Sequence, residues 1–181
     1  MQFTTTRIND LIVIQPDVHG DHRGFFLESY SREQFEKAGI PAAFIQDNHS
    51  SSSSTGVLRG LHFQKPPFAQ AKLIRVTRGS IIDIAVDLRK SSPTYAKWLK
   101  FELTEDNFTM LYVPAGFAHG FCTLAPDTHV QYKVDVPYTP ESDSGIHWND
   151  PDIGIEWPAA DPILSAKDAA LPLFKENPSP F

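Results

Sequence analysis

Cysteine occurs once in 181 residues, at Cys122. One thiol allows no internal disulfide, which fits a reducing compartment, and its setting in Gly120-Phe121-Cys122-Thr123-Leu124 marks it as a small core residue. Methionine is nearly as scarce, 2 against 13 phenylalanines, a balance that suits sheets better than helical bundles. Neither a basic, apolar leader nor a run of apolar residues long enough to cross a bilayer is present, so no membrane partner is expected and a cytoplasmic location is. Basic clusters are missing too. With 16 Lys and Arg against 22 Asp and Glu, the formal net charge is −6, which argues against a nucleic-acid partner. Cations that meet an anionic ligand must therefore be placed locally.

What remains is a chain that is 41% hydrophobic and 21% charged, the profile of a globular protein with a substantial core. No repeat or linker divides it, and residues 1–181 read as one domain. Strand signals dominate. Leu11-Ile12-Val13-Ile14 is a short apolar run, and residues 82–89 alternate with Ile82, Ile84, Val86 and Leu88 on one face. Residues 98–103, 110–113 and 129–136 add further short strands. Arg78-Gly79-Ser80 reads as the turn of a hairpin between residues 72–78 and 81–89. Ser50 to Ser54 with Thr55-Gly56 reads as a mobile loop, and the Pro-rich stretch from Pro158 as a surface wrap. Two short helices are expected, one with a capping box at Ser31-Arg32-Glu33-Gln34 and a stop at Gly39, the other at Ser165-Ala166-Lys167-Asp168. Many short strands separated by turns predict a mainly β jelly-roll barrel with short peripheral helices, and the motif resemblances given below imply the cupin type.

Metal chemistry is the first possibility for such a barrel. Pro114 to Phe121 resembles the second cupin motif, whose histidine often binds metal, and here that histidine is His119. The companion His-x-His is absent: the earlier region offers only His62, and His19, His22, His49, His129 and His147 lack ligand spacing. No metal and no other cofactor is expected.

Proton transfer fits better. Along 130–134, Val130, Tyr132 and Val134 share a face, which puts the Tyr132 hydroxyl inside the barrel. Lys72 shares a face with Ile74 and Val76, and pattern alone leaves it open whether the ammonium turns inward or snorkels out. Arg59 and His62 have opposite parity on a regular strand, so both reach one ligand only if the strand bulges or twists, which Gly60 between them permits. A histidine, a tyrosine and a lysine around one cavity suit removal of a proton next to a carbonyl: a base near neutral pKa, a donor, and a cation for the oxyanion.

The residues that carry these roles sit in stretches that resemble one family in order along nearly the whole chain. They are Gly20 to Phe26 with Glu28, Gln46 to Ser50, Val57 to Gln64, Lys72-Leu73, Asp83 to Arg89, Pro114 to Phe121, Tyr132-Lys133, Tyr138, and Ser165 to Asp168. The family is that of the dTDP-4-dehydrorhamnose 3,5-epimerases, cupin-fold enzymes of nucleotide-sugar metabolism. The resemblance implies a dTDP-keto-sugar substrate and a homodimer. It implies His62 as base, oriented by Asp168, Tyr132 as acid, and Lys72 at the oxyanion. Arg23, Arg59, His119 and Lys167 would hold the diphosphate and nearby groups. Glu28, Gln46, Asp47, Asn48 and Asp143 would contact nucleotide or sugar, and Tyr138 would stack on the ligand. Asp168 also occupies a capping-box position, three residues after Ser165. Relatives that epimerise one carbon or isomerise the keto sugar share this base, and a metal-dependent cupin or a non-catalytic sugar-binding cupin are the alternatives of other classes.

Overall fold

The computed structural model describes residues 1–41 and 43–181. Two antiparallel sheets face each other. One runs in the order β1 (Gln2–Thr5), β2 (Ile12–Gln15), β10 (Met110–Val113), β7 (Lys72–Arg78), β12 (Thr128–Val134), β5 (Gln46–Ser52). The other runs β13 (Asp143–Gly145), β6 (Leu58–Gln64), β11 (Phe117–Thr123), β8 (Ser80–Asp87), β9 (Trp98–Thr104). A separate hairpin pairs β3 (Val18–Asp21) with β4 (Gly24–Leu27). This is the jelly-roll barrel that the strand pattern predicts.

The barrel interior is filled from both sheets, by Ile74, Val76, Leu111 and Val130 on one side and Ile81, Ala85, Phe117 and Phe121 on the other. Tyr132 packs against this cluster, as its alternation with Val130 and Val134 requires. On β8 the alternation has a different meaning. Ile84, Val86 and Leu88 are fully buried on the outer face, under Ile146, Ile153, Ile155 and the Phe181 ring of the C-terminal wrap. Each such side chain contributes about 1.5–3 kcal/mol by leaving water. The opposite face, with Ile81, Asp83 and Ala85, looks into the barrel.

The turn at Arg78-Gly79-Ser80 does not close a hairpin. β7 pairs with β10 and β12, whereas β8 pairs with β11 and β9, so Gly79 hands the chain from one sheet to the other. Its φ of +75° and a Cβ position 2.4 Å from Thr128 Oγ1 explain the glycine. The serine run is also more ordered than a loop. Ser50, Ser51 and Ser52 belong to β5 and pair with Val130, His129 and Thr128, so the ladder with β12 overrides weak strand propensity.

Helix α1 (Arg32–Lys37) buries Phe35 and stops before Gly39. Its expected capping box does not form: the Ser31 side chain makes no cap bond, and the Gln34 amide donates to Glu28 Oε1 at 2.6 Å. Helix α2 (Ala166–Ala169) is capped as expected, with Ser165 Oγ accepting from the Asp168 backbone N–H at 3.0 Å. The segment before it is tied to the barrel by a parallel bridge between Val57 and Ile163. Among the described residues no helix is long and apolar enough to cross a membrane.

Candidate active site

Gly60 shapes the strand that carries His62. Opposite β11, His62 pairs with His119 and Arg59 with Phe121, so three steps on β6 match two on β11. This is the bulge needed for Arg59 and His62 to share one cavity. Gly60 adopts φ +127°, and a Cβ there would lie 2.5 Å from Gly120 Cα; a Cβ on Gly120 would lie 2.8 Å from Arg59 O. Two facing glycines let the strands approach where the bulge turns Arg59 inward.

A cavity of about 430 Å³ opens there, lined by Arg59, His62, Lys72, His119, Tyr132, Lys167 and Asp168 among others. Its size lies within the common range for small-ligand sites, roughly 300–1,000 Å³. His62 Nε2 lies 2.7 Å from Asp168 Oδ1, and the second carboxylate oxygen accepts from the Gly60 N–H at 3.4 Å. Asp168 is 3% exposed, so its charge acts on the imidazole with little screening. Burial opposes that charge, but the bond to His62, the His62 charge, and the Gly60 and Ser165 hydrogen bonds offset it and hold the pKa below the ordinary value. The carboxylate thus faces His62, and the backbone N–H of Asp168 donates to the cap residue Ser165.

Lys72 turns inward, with Nζ 3.5 Å from the His62 carbonyl. Desolvation pushes its pKa down to about 8, against the pull of Asp83 and Asp143. Tyr132 faces the same space from β12, beside the Lys72 strand and in the sheet opposite His62. Burial raises its pKa, against an opposing effect of the Arg59 charge, so the hydroxyl keeps its proton at neutral pH. Arg59 Nη2 donates to Ser51 O at 3.1 Å, which aims the guanidinium along the cavity wall.

At the rim, Lys167 and the Tyr138 hydroxyl both bind Asp143 Oδ2, the latter at 3.0 Å. These bonds raise the pKa of both donors. Tyr138 is exposed, its ring free on the surface. Gln46 donates to Asn48 Oδ1 at 2.9 Å, and Asn48 stands opposite Tyr132 in the β5–β12 ladder. Asp47 points to the outer sheet face and pairs with Lys133 at 2.7 Å. Arg23 and Glu28 do not line the cavity: Arg23 folds onto Asp21 within the β3–β4 turn, and Glu28 binds Gln34 near α1.

Two residues escape the sequence reading. Asp83 is fully buried behind His119, whose Nε2 lies 2.9 and 3.0 Å from its two oxygens. On an alternating strand an aspartate opposite the apolar stripe reads as a surface residue, so the pattern hid it. Ser50 Oγ faces the cavity buried and without a hydrogen-bond partner among the described residues, and nothing in a serine run distinguishes it. The site does not fit a metal. His62 and His119 each spend Nε2 on a carboxylate, and among the described residues no three His, Cys, Asp or Glu side chains cluster as a ligand set.

Fold and cavity together define a class: a jelly-roll barrel whose interior brings an imidazole, a phenol and an ammonium to one cavity. The chain belongs to the dTDP-4-dehydrorhamnose 3,5-epimerase family, whose model matches residues 5–176. It is 48% identical over all of its length, and 93% of the relative's, to the dTDP-4-dehydrorhamnose 3,5-epimerase of Sinorhizobium fredii. The Bacillus anthracis enzyme of that name, solved with TDP and PPi bound, superposes with a TM-score of 0.93 at 51% identity, covering 95% of this chain and 98% of that one. The Legionella pneumophila enzyme, solved in complex with dTDP-4-keto-L-rhamnose, gives 0.92 at 42% identity over 96% and 93%. A 3′-monoepimerase from Streptomyces bikiniensis, in complex with dTDP-quinovose, gives 0.88 at 32% identity over 94% and 86%.

Proposed function

We propose that the protein epimerises C3 and C5 of dTDP-4-keto-6-deoxy-D-glucose to give dTDP-4-keto-L-rhamnose. One observation carries the reading. The His62–Asp168 pair and the Tyr132 hydroxyl face one cavity from different sheets, with the Lys72 ammonium beside them. His62 takes the proton from the carbon next to the ketone, and the electron pair moves to the ketone oxygen, where Lys72 meets the charge. Tyr132 returns a proton from the other face, which inverts the centre. Arg59, His119 and Lys167 serve the diphosphate and nearby groups, Gln46, Asn48 and Asp143 the nucleotide or sugar, and Tyr138 stacks on the ligand. Arg23 and Glu28, which stand outside the cavity of one protomer, would reach the ligand from the second copy of the proposed homodimer, and Asp47, paired with Lys133 on the outer face, takes no part. Bidentate guanidinium groups suit a diphosphate, and the acidic chain supplies its cations only locally.

The reading extends to the assembly. Residues 1–181 act as one unit, and the family match across 5–176 supports this. Phe25 and Phe26, 59% and 70% exposed on the β3–β4 hairpin, offer an apolar surface for a second copy, in support of a homodimer. A cytoplasmic location follows from the substrate class and the single thiol.

The test is incubation with the keto sugar in deuterated water. Deuterium at both C3 and C5, with both centres inverted, is expected. Label at one carbon would instead assign the chemistry of the Streptomyces bikiniensis relative, and no label would leave only binding.

A further inference from the structure

His62 is not the only imidazole tied to a buried carboxylate at this cavity. His119 stands directly opposite it on the neighbouring strand, paired in register. Its Nε2 lies within hydrogen-bond distance of both oxygens of Asp83, whereas His62 reaches one oxygen of Asp168. Asp83 is completely shielded from solvent, and His119 is only 8% exposed. A carboxylate buried this deeply is costly unless donors and a cation hold it. Asp83 has both, the His119 N–H in direct contact and the Lys72 charge acting across the barrel.

We propose that Asp83 is a positioning residue: it fixes His119 with Nε2 protonated and sets a negative charge against Lys72, so that the wall beside His62 stays organised for an oxyanion. The inference rests on the proposed epimerase reading. Asp83 does not line the cavity, so it acts through its two neighbours. Binding Nε2–H to Asp83 leaves Nδ1 as the nitrogen of His119 without a partner among the described residues, on a side chain that lines the cavity. The register places that imidazole next to the base, at the reacting end of the sugar. Without Asp83 the ring is free to turn over and exchange its nitrogens, and the ammonium of Lys72 loses a compensating charge in a desolvated place. The electrons displaced when His62 takes the carbon-bound proton would then collect on an oxygen with a disordered wall behind it.

The experiment combines one variant with one measurement on the unaltered protein. Asp83→Asn keeps the shape and removes the charge. Its kcat on the keto sugar should fall about 10- to 100-fold, less than the roughly 10²–10³ lost with a whole oxyanion donor, while dTDP binding by calorimetry stays unchanged. The alkaline limb of the pH–kcat profile should move to lower pH, because Lys72 loses Asp83 and keeps Asp143 as its facing acid, while Arg59, His62, His119 and Tyr132 remain the other charged and titratable groups around it. A wild-type kcat with an unmoved limb would overturn the proposal. So would parallel losses of melting temperature, dTDP affinity and kcat with no movement of the limb, the pattern of a purely structural carboxylate. The second measurement needs no variant: in the ¹⁵N-labelled protein, ring-nitrogen shifts of His119 should show Nε2 protonated, and a neutral Nδ1–H ring would sink the idea. If the unaltered protein fails to turn over the keto sugar, the functional reading falls, and the ring-nitrogen measurement still decides the placement of Asp83.

Discussion

His62 and Asp168 lie 106 residues apart in sequence and 2.7 Å apart in the folded chain, imidazole Nε2 against carboxylate Oδ1. The pair joins a bulged strand of the barrel to a one-turn helix in the C-terminal wrap. Removing either member tests a different property. His62→Ala should lower kcat by about 10²–10⁴-fold, the usual contribution of a positioned base, while the variant stays folded. A folded variant that turns over near the wild-type rate would make His62 a packing residue.

Tyr132→Phe keeps the ring in the barrel cluster and removes only the hydroxyl, so stability should change by less than about 1.5 kcal/mol. His62 can still form the enolate and return a proton to the face it came from. Deuterium should therefore enter the substrate with retained configuration while inverted product falls sharply, a pattern that NMR resolves at each carbon. Full inversion at the wild-type rate would assign the acid elsewhere.

Arg59→Ala should act mainly on binding. A charge-assisted hydrogen bond is worth roughly 1.5–3 kcal/mol, so KM should rise about 10- to 100-fold with a smaller change in kcat. Titration with dTDP alone checks it, since the diphosphate is present without the reacting sugar. Unchanged affinity would remove Arg59 from the clamp.

Activity should fall on the alkaline side near the pKa of Lys72, about 8. The sign follows from desolvation: the folded site lowers the pKa from 10.5, so Lys72 carries its charge below about 8 and loses it above. Loss of the charge removes the cation beside the developing oxyanion. A pH–kcat profile checks this, and an alkaline limb that persists unchanged in Lys72→Met would assign it to another group.

Much of the site is legible in the sequence because strand parity is a strong constraint. The alternation of Val130, Tyr132 and Val134 predicts an inward hydroxyl, and the odd spacing of Arg59 and His62 around Gly60 predicts the bulge that the β6–β11 register contains. Parity fails on β8 for a physical reason. Both faces of that strand are buried, so the apolar stripe of Ile84, Val86 and Leu88 marks the side under the C-terminal wrap, and Asp83 on the other side faces the barrel. Turn residues at Gly79 reveal that the chain reverses but not which strands then pair. The inward turn of Lys72 depends on distant partners, Asp83 and Asp143, that no local pattern connects to it. The missing Ser31 cap shows the same limit: Gln34 finds Glu28 instead of completing a box with its own helix.

The bridge between Val57 and Ile163 joins two parts of the chain that each supply half of one pair. His62 is placed by the barrel, but its carboxylate partner stands on the segment that follows Ile163, which is bridged to Val57 just before β6. Two backbone bonds hold that docking, Leu58 N–H to Ile163 O at 3.0 Å and Ile163 N–H to Gly56 O at 2.9 Å. Opening those two bonds would leave the pocket of the barrel formed and His62 without its carboxylate, so the proposed pair depends on the wrap as well as on the barrel.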